Sequence, residues 1–286
     1  MIGHVTRRAA AAGLLGVGLG GSGLAAPRRV VSLGACLDVA LMQVADRGQI
    51  AAITHFSRDP NVSTVADVAR TLPFTHESAE EVIALRPDLV VASKRSGRQA
   101  RSALKAIGVR VEEFEVPESI AASLEQIRQV AALVGREERG EAAVARVEQA
   151  LAAASPPSGE RRLTAVIYQS NGFAAGEGTL ISEMMGRCGF ENVAGRYGLK
   201  KWGNIPLERI IANPPDVLLA GESYPGAPNW AERMLRHPAL LHLEPRTFRA
   251  AFHQRLLDCG GPVLVQTAAA LTAAREGALS WRRTAG

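Results

Sequence analysis

The chain has few of the residues, and none of the short motifs, that mark most catalytic and metal-binding sites. Three of its 286 residues are cysteine, 5% are aromatic, and the six histidines show no His-x-x-x-His spacing. Beyond residue 26 there is no Gly-x-Ser-x-Gly elbow, Walker loop or dinucleotide fingerprint. These absences argue against an enzyme, and we expect neither catalytic residues, nor a resident cofactor, nor a metal ion bound directly by the protein.

Long hydrophobic runs and charge clusters are also missing. No segment after residue 26 is apolar for 18 or more residues, so we expect the mature protein to be soluble. The 33 basic and 28 acidic side chains leave a small positive excess, which is spread along the chain and not gathered in one tract. This distribution gives no sign of a nucleic-acid partner. A hydrophobic content of 47% excludes a wholly disordered chain.

The first 26 residues have the composition of an export signal. Arg7 and Arg8 precede an uncharged stretch, 9–24, that is rich in Ala, Gly and Leu, and Ala25-Ala26 supplies small residues for cleavage. We expect cleavage after Ala26 and a periplasmic location, and the paired arginines leave the twin-arginine route open. Cleavage there removes two basic and no acidic residues, so 31 basic and 28 acidic side chains remain.

A repeated phrase is the most informative feature that is present. Residues 80–90 and 208–218 each begin with a glutamate, reach a Pro-Asp pair seven residues later and continue into an aliphatic run. This order predicts a helix, a stop and a buried strand, written twice. The copies lie 128 positions apart, too far for a solenoid repeat of roughly 20 to 50 residues. We therefore expect two similar lobes.

Short aliphatic strands alternate with helices in both halves of the chain. Between the halves, residues 119–154 show one long helical pattern, in which Gly135 is a candidate kink. This predicts an α/β fold with two Rossmann-like lobes, each with a central parallel sheet, joined by one long helix. We expect a signal peptide over 1–26, a first lobe over 27–117, a connecting helix over 118–155 and a second lobe over 156–286. The predicted strands are 30–33, 50–54, 89–92, 110–114, 163–168 and 217–220.

Several separated phrases, in the right order, resemble the periplasmic substrate-binding proteins of ABC importers. More narrowly, they are similar to the group that delivers ferric siderophores, heme and cobalamin. The resemblance covers about residues 28–280 and implies a rigid two-lobed binder, expected to be a monomer, that works with a permease dimer in the inner membrane. The phrases that carry it are 29–33 and 82–91 in the first lobe, and 178–180, 188–194, 206–208 and 215–218 in the second.

Aromatic and cationic residues are concentrated where the predicted strands end. In open α/β sheets, ligands bind outside the carboxyl ends of the strands, so two facing lobes form a cleft there. Flat rings give contact area to a bulky metal chelate, and cations meet its acidic groups. The predicted ligand-binding residues are Phe56, Arg58, His76, Lys94, Arg95, Tyr168, Asn171, Phe173, Trp202, Tyr224, Phe252 and His253.

Glu80 and Glu208 have two interpretations. An acidic residue in the first turn of a helix is stabilised by the helix dipole by about 0.3 to 1 kcal/mol. The resemblance implies a further role, in which one acidic residue on each lobe pairs with arginines of the permease. Equivalent positions on two lobes suit a two-fold permease dimer, so we favour docking. Glu77 and Glu81 lie close enough in the sequence to replace Glu80.

The cysteine count is odd, which leaves one thiol over. Export permits disulfides, and Cys188 and Cys259 both fall in the second lobe, so we expect a bridge between them. Sequence alone does not settle the pairing. Cys36 would then be an unpaired, small buried residue near the cleft.

Other functions stay open at this point. His55, His76 and His253 with Glu222 could converge in the cleft and bind a bare zinc or manganese ion. An exported α/β enzyme or a non-catalytic chaperone is the remaining alternative. Among chelates, the cationic residues favour a ferric siderophore or related iron complex first, cobalamin second and heme third.

Overall fold

The computed structural model describes residues 26–221, 238, 243 and 246–285. The expected export signal up to residue 25, and two residues of the predicted cleft, Glu222 and Tyr224, lie outside that part of the chain. Within it, two parallel sheets form the centres of two lobes, so the predicted α/β class is confirmed. None of the described helices is both long and apolar enough to cross a membrane.

The first lobe is built on a five-stranded parallel sheet. Its elements are β1 (Val30–Leu33), α1 (Ala35–Val44), β2 (Ile50–Thr54), α2 (Ala66–Ala69), β3 (Phe74–Thr75), α3 (Ala79–Ala84), β4 (Leu89–Ser93), α4 (Arg98–Ala106) and β5 (Val111–Phe114). The strand order is β3–β2–β1–β4–β5, so β1 lies at the centre. In β4, Leu89 and Val91 face one hydrophobic cluster and Val90 and Ala92 another, which explains the continuous aliphatic run.

The second lobe repeats this architecture with fewer strands. Its elements are β6 (Leu163–Tyr168), β7 (Phe173–Ala175), α7 (Leu180–Arg187), β8 (Phe190–Asn192), β9 (Trp202–Asn204), α8 (Leu207–Ala212), β10 (Val217–Ala220), β11 (Phe248–Ala251) and α9 (Leu264–Ala285). The parallel sheet has the order β11–β10–β6–β8, and β7 and β9 form a separate antiparallel pair.

The lobes are joined by two helices, α5 (Ile120–Leu133) and α6 (Glu137–Ala154), where the sequence predicted one. Gly135 ends α5 with a φ of +65°, and the amides of Gly135 and Arg136 bond to the carbonyls of Ala132 and Ala131 at 3.1 and 2.8 Å. This is a Schellman motif, which glycine favours because it has no Cβ to oppose positive φ. The chain therefore turns at the position predicted as a kink and forms a helical hairpin.

The repeated phrase is confirmed as two copies of one αβ unit, α3–β4 and α8–β10. In each lobe the strand of the unit pairs with the first strand of that lobe, β1 or β6. The aspartate that follows the proline also has the same task twice. Asp88 accepts hydrogen bonds from the backbone amides of Arg28 and Arg29, and Asp216 accepts one from the amide of Thr164. Each carboxylate therefore ties its unit to the neighbouring strand.

One hydrophobic cluster extends through both lobes. It packs the inner faces of the two sheets against α1, the α5–α6 hairpin and α9. A continuous core of this kind resists independent movement of the lobes, because separating them would expose apolar surface to water. Its fully buried members include Val30, Leu41, Ile127, Val147, Ile167 and Leu271.

The disulfide joins Cys36 to Cys259, with their Cα atoms 5.2 Å apart, so the predicted bridge between Cys188 and Cys259 is wrong. Cys188 is a free thiol at the end of α7, buried in the shared core, and burial raises its pKa to about 11. The prediction assumed that a disulfide joins two cysteines of the same lobe. The chain before α9 instead passes beside α1, which brings Cys259 to the other lobe.

Candidate functional site between the lobes

A cavity of about 600 Å³ lies between the two lobes at the carboxyl edge of the first sheet. The segments after β1, β4 and β5 line it from the first lobe. Residues of β7 and β9, the start of α7 and the segment 257–260 line it from the second lobe. Its volume falls in the range of about 300 to 1,000 Å³ that small-molecule sites occupy. The predicted cleft is therefore present in the structure.

Two stacked rings form a flat wall of this cavity. Phe173 and Trp202 stand diagonally across the antiparallel pair of β7 and β9, with ring centroids 5.6 Å apart and planes only 9° apart. Phe173 is half-buried, while Trp202 keeps 40% of its surface exposed. A large, partly exposed indole that lines a cavity offers stacking area to a planar ligand. Both residues were predicted as ligand contacts.

Arg95 lines the cavity on the opposite, first-lobe side, in the turn that follows β4. Beneath this turn the buried Arg101 donates hydrogen bonds to the carbonyls of Ser93 and Lys94 and to the Glu113 carboxylate, at 2.9, 3.2 and 2.7 Å. Arg101 thereby holds the turn in place and leaves Arg95 at the cavity. Arg95 lies near enough to the Glu118 carboxylate to help lower the pKa of that group. A cation and an aromatic wall that line one cavity suit a planar ligand with acidic substituents at its edge.

Acidic groups complete the rim. Glu118 pairs with Lys201 of the other lobe at 2.6 Å, and this contact lowers the pKa of the Glu118 carboxyl. Asp258 also lines the cavity, and desolvation by the surrounding protein raises its pKa to about 6, although part of its surface reaches solvent. The cavity is therefore apolar on its wall and mixed in charge at its rim.

A second group of rings lies outside this cavity, after β2 and β3. We call it the His–Phe cluster, and its members are His55, Phe56, Arg58, Phe74 and His76. The ring centroids of His55 lie 3.9 Å from Phe56 and 4.9 Å from His76, and the Arg58 guanidinium stands 4.1 Å above the Phe74 ring. None of the five lines the cavity, so three predicted ligand residues, Phe56, Arg58 and His76, gather away from Trp202.

Asp38, in α1, anchors the turn that carries part of the His–Phe cluster. Its Oδ2 accepts hydrogen bonds from the amide and the hydroxyl of Thr54, at 3.0 and 2.6 Å, and from the Ser57 hydroxyl at 2.6 Å. The carboxyl is fully buried, and burial raises its pKa to about 6 despite these bonds, because a charge is costly away from water. Sequence reasoning did not identify this residue.

Two predicted ligand contacts are wrong, because the structure places them in the core. Tyr168 is 0% exposed within β6, and burial raises its pKa to about 12. Its buried hydroxyl has no hydrogen-bond partner among the residues that the structure describes. Phe252 follows β11 and is 1% exposed. Both lie in hydrophobic clusters. Position at a strand end therefore did not distinguish buried core aromatics from exposed ones.

Three further predicted residues lie at positions other than the cavity wall. Lys94 pairs with Glu115 at 2.7 Å and faces a groove of about 880 Å³ between β5 and α5. That groove is larger, but three acidic side chains along it, Glu112, Glu113 and Glu115, already pair with Arg110, Arg101 and Lys94. Asn171 is exposed and has a left-handed backbone conformation, and its carbonyl accepts a hydrogen bond from the side-chain amide of Asn204. His253 is half-buried at the start of a short turn.

Of the four residues considered as ligands for a bare metal ion, the structure shows His55 and His76 in contact. His55 and His76 lie close together, but His76 is held by Glu81, which accepts hydrogen bonds from its amide and ring at 2.6 and 3.3 Å. Among the residues that the structure describes, no three His, Cys, Asp or Glu side chains form a group that could hold a metal ion. Glu222, the fourth predicted ligand, lies outside that part of the chain.

Much of the cavity lining was not predicted. The missed segments are 114–118, 179–181 and 257–260. Thr179 gave one usable signal, because its side chain caps α7 by accepting a hydrogen bond from the Ser182 amide, and helix starts lie at the carboxyl edge in parallel sheets. Segment 114–118 gave a second signal, because it follows the predicted strand 110–114 and lies at the carboxyl edge. Segment 257–260 has no regular pattern that points to the site.

The sequence and the fold are similar to those of known proteins. The chain is similar, at 25% identity over 202 residues and 69% of its length, to a cobalamin-binding protein of Halobacterium salinarum. It spans about half the length of that relative, 54%. It is similar in structure to the apo periplasmic heme-binding protein RhuT of a Roseiflexus species, with a TM-score of 0.70, 24% identity and coverage of 88% and 99% of the two chains.

A further solved structure, the periplasmic vitamin B12 binding protein BtuF of Vibrio cholerae, aligns with a TM-score of 0.65 at 14% identity and covers 88% and 98% of the two chains. At such identities the structural likeness shows the fold alone. A family model described as periplasmic binding protein matches residues 30–245, more than half of the sequence. The chain therefore belongs to the periplasmic binding protein family.

Proposed function

We propose that this protein is the exported solute-binding component of an ABC importer, and that it captures a planar metal chelate between its lobes for delivery to a membrane permease. The observation that carries the proposal is the parallel stack of Phe173 and Trp202, with Trp202 40% exposed at the cavity. A flat aromatic wall gives most contact to a flat ligand. Arg95, on the other side of the cavity, meets acidic groups or amide oxygens at its edge.

Among planar chelates, we place a corrinoid first, ahead of heme and of the ferric siderophore that sequence alone ranked highest. A siderophore complex is compact and round, and it uses a flat wall poorly. A heme iron is held in proteins by an axial side chain such as His, Cys, Met or Tyr. The described lining residues include none of these except Cys36, which is in a disulfide. Cobalamin carries its own axial ligands, and the names of the curated relatives agree with it.

Glu80 and Glu208 are the proposed contacts with the permease. Both are exposed, and each is the second residue of a six-residue helix on its own lobe. Neither lines the cavity between the lobes, so permease docking and ligand capture use different surfaces. The export signal over 1–26, its twin-arginine route, and the division into lobes at 27–117 and 156–286 belong to the same proposal. The protein is proposed to act as a monomer.

The function is tested by binding measurements on the mature chain, residues 27–286. We expect isothermal titration to give one saturable site for cyanocobalamin, with weaker or no binding of hemin and of a ferric hydroxamate. Arg95→Gln distinguishes heme from cobalamin as the ligand. The affinity for heme should fall more, because its propionates lose a charge partner, whereas the edge of cobalamin bears amides. Failure of every chelate to bind would exclude the proposed function.

A further inference from the structure

A disulfide joins the two lobes at the middle of the cleft. Cys36 lies in the first turn of α1, directly after β1, and Cys259 lies between β11 and α9. The two residues are 223 positions apart in the chain, so the bond connects the first lobe to the last part of the second. Because β1 is the third of five strands, the bond stands at the centre of the carboxyl edge of the first sheet.

Two weaker contacts between the lobes flank this bond. On the side of β5, Glu118 pairs with Lys201. On the side of β2, the Arg255 guanidinium donates a hydrogen bond of 2.8 Å to the carbonyl of Pro60. Both contacts are exposed to solvent, where ion pairs and single hydrogen bonds contribute little and re-form easily. Of these three connections, only the central one is covalent.

The bond also separates the two groups of candidate ligand residues. Cys36 lines the cavity, as do Asp258 and Gly260 on either side of Cys259. The His–Phe cluster follows β2 and β3, and β1 lies between those strands and β4, from which Arg95 reaches the cavity. The loop after β1 and its disulfide therefore stand between the Trp202 wall and the His–Phe cluster.

We propose that the Cys36–Cys259 disulfide determines the size of ligand that the cleft accepts. The inference rests on the proposed function and adds the element that selects among chelates. The α5–α6 hairpin and the shared hydrophobic core already connect the lobes, and the disulfide adds a covalent link at the cavity itself. The cleft cannot widen at its centre, and a macrocycle enters edge-on against Trp202 without reaching the His–Phe cluster. Preorganisation of the cavity also lowers the entropy lost on binding.

The experiment compares the oxidised protein with two forms that lack the bond. One is wild type reduced with a phosphine after folding, which needs no refolding, and the other is the variant Cys36→Ser/Cys259→Ser. The matched control is Cys188→Ala, which removes the free thiol of the second lobe and leaves the bond intact. The probes are cyanocobalamin and dicyanocobinamide, a smaller corrinoid without the nucleotide loop. Ligand-free small-angle scattering reports the separation of the lobes.

Loss of the bond is expected to shift the affinity ratio of the two corrinoids at least fivefold in favour of the larger one, and to increase the radius of gyration. The Cys188→Ala control keeps the ratio and the scattering of wild type. The inference is overturned if either the affinity ratio or the radius of gyration stays unchanged when the bond is lost. A lower unfolding temperature in that case would mean that the bond only stabilises the fold. If no corrinoid binds to any form, the choice of a corrinoid as ligand fails, while the proposed function is judged by the wider panel of chelates. The scattering comparison alone then decides whether the bond limits the opening of the cleft.

Discussion

Glu80 and Glu208 hold the same position on the two lobes: each is the exposed second residue of a six-residue helix that leads through a Pro-Asp pair into a buried parallel strand. Equal placement on two similar lobes presents two like charges on a pseudo-symmetric face. A permease dimer with two-fold symmetry has two equivalent surfaces to meet such a face. This relationship leads to the first of four predictions.

Reversing both charges, as Glu80→Lys/Glu208→Lys, should abolish uptake by cells and leave ligand affinity of the purified protein unchanged. The lysines would repel the arginines proposed on the permease, while the cavity lies elsewhere on the surface. Transport of labelled ligand and isothermal titration measure the two effects. Glu138→Lys/Glu148→Lys is the matched control, because it changes net charge equally on exposed positions of α6 and should keep uptake. A loss of affinity in the first variant would instead assign the glutamates to ligand binding.

Trp202 should report ligand binding and contribute to it. Quenching of its fluorescence is expected on addition of a planar chelate, since its partly exposed ring lines the cavity. Trp202→Ala removes a stacking contact of about 0.5 to 1.5 kcal/mol, which corresponds to a roughly two- to tenfold weaker affinity. Trp281→Phe is the control, because Trp281 packs against Phe248 from α9, away from the cavity. Equal loss of affinity in both variants would contradict the placement of the site.

Asp38 should make stability fall as the pH rises from about 4 to about 6. Burial raises its pKa from 3.8 to about 6, so over this range the folded protein holds a proton that the unfolded chain has released. The folded state therefore loses stability with rising pH, by about 3 kcal/mol over the whole window. Asp38→Asn removes this titration, so the difference in unfolding free energy between the two proteins should change by about that amount. Urea denaturation at a series of pH values measures it.

Asp46→Asn is the matched control for this measurement. The pKa of Asp46 is lowered, chiefly by its hydrogen bond from Arg136, so its contribution has the opposite sign and is lost as the pH falls. The two variants should therefore deviate from wild type in opposite directions as the pH changes across the acidic range. If the difference in unfolding free energy between wild type and Asp38→Asn stays constant with pH, Asp38 does not titrate in this range.

Gly135 and Gly186 should respond oppositely to alanine. Gly135→Ala places a Cβ on a residue at φ +65°, a conformation that costs a non-glycine residue about 1 to 2 kcal/mol. Gly186 lies inside α7, and apart from its chain neighbours and the backbone of its own helix, no atom of the described residues comes within 4 Å of an added Cβ. Gly186→Ala should therefore stabilise by about 0.5 to 1 kcal/mol. Urea denaturation distinguishes them. Equal destabilisation by both would mean that the left-handed turn does not determine the end of α5.

The regular elements were predictable where a local pattern was long enough. The predicted bounds 50–54, 163–168 and 217–220 coincide with β2, β6 and β10, because an aliphatic run there is bounded by turn residues. The strands β3, β7, β8 and β9 have only two or three residues, too few to show any period, and they form because a neighbouring strand pairs with them. Helix α5 ends at Gly135 because of a capping motif. The helical periodicity continues past this position, so the sequence predicted only a kink there.

The sequence predicted the types of residue that line the candidate site, but only some of the individual residues. Arg95, Phe173 and Trp202 do line one cavity, as a concentration of rings and cations at strand ends suggested. Tyr168 and Phe252 are core residues, and Phe56, Arg58 and His76 form a different cluster. Sequence position places a residue at a strand end, but the direction of its side chain is decided by what the opposite lobe leaves uncovered.

The sequence by itself determined the two-lobed α/β architecture, since the repeated phrase and the alternation of aliphatic strands with helices are local patterns that each segment carries alone. Only the tertiary structure decided that Cys259 bonds to Cys36 and that Phe173 and Trp202 share a cavity wall with Arg95. The physical reason is distance along the chain. Contacts between residues 223 positions apart depend on how the two lobes pack across their shared core, and no short stretch of sequence records that packing.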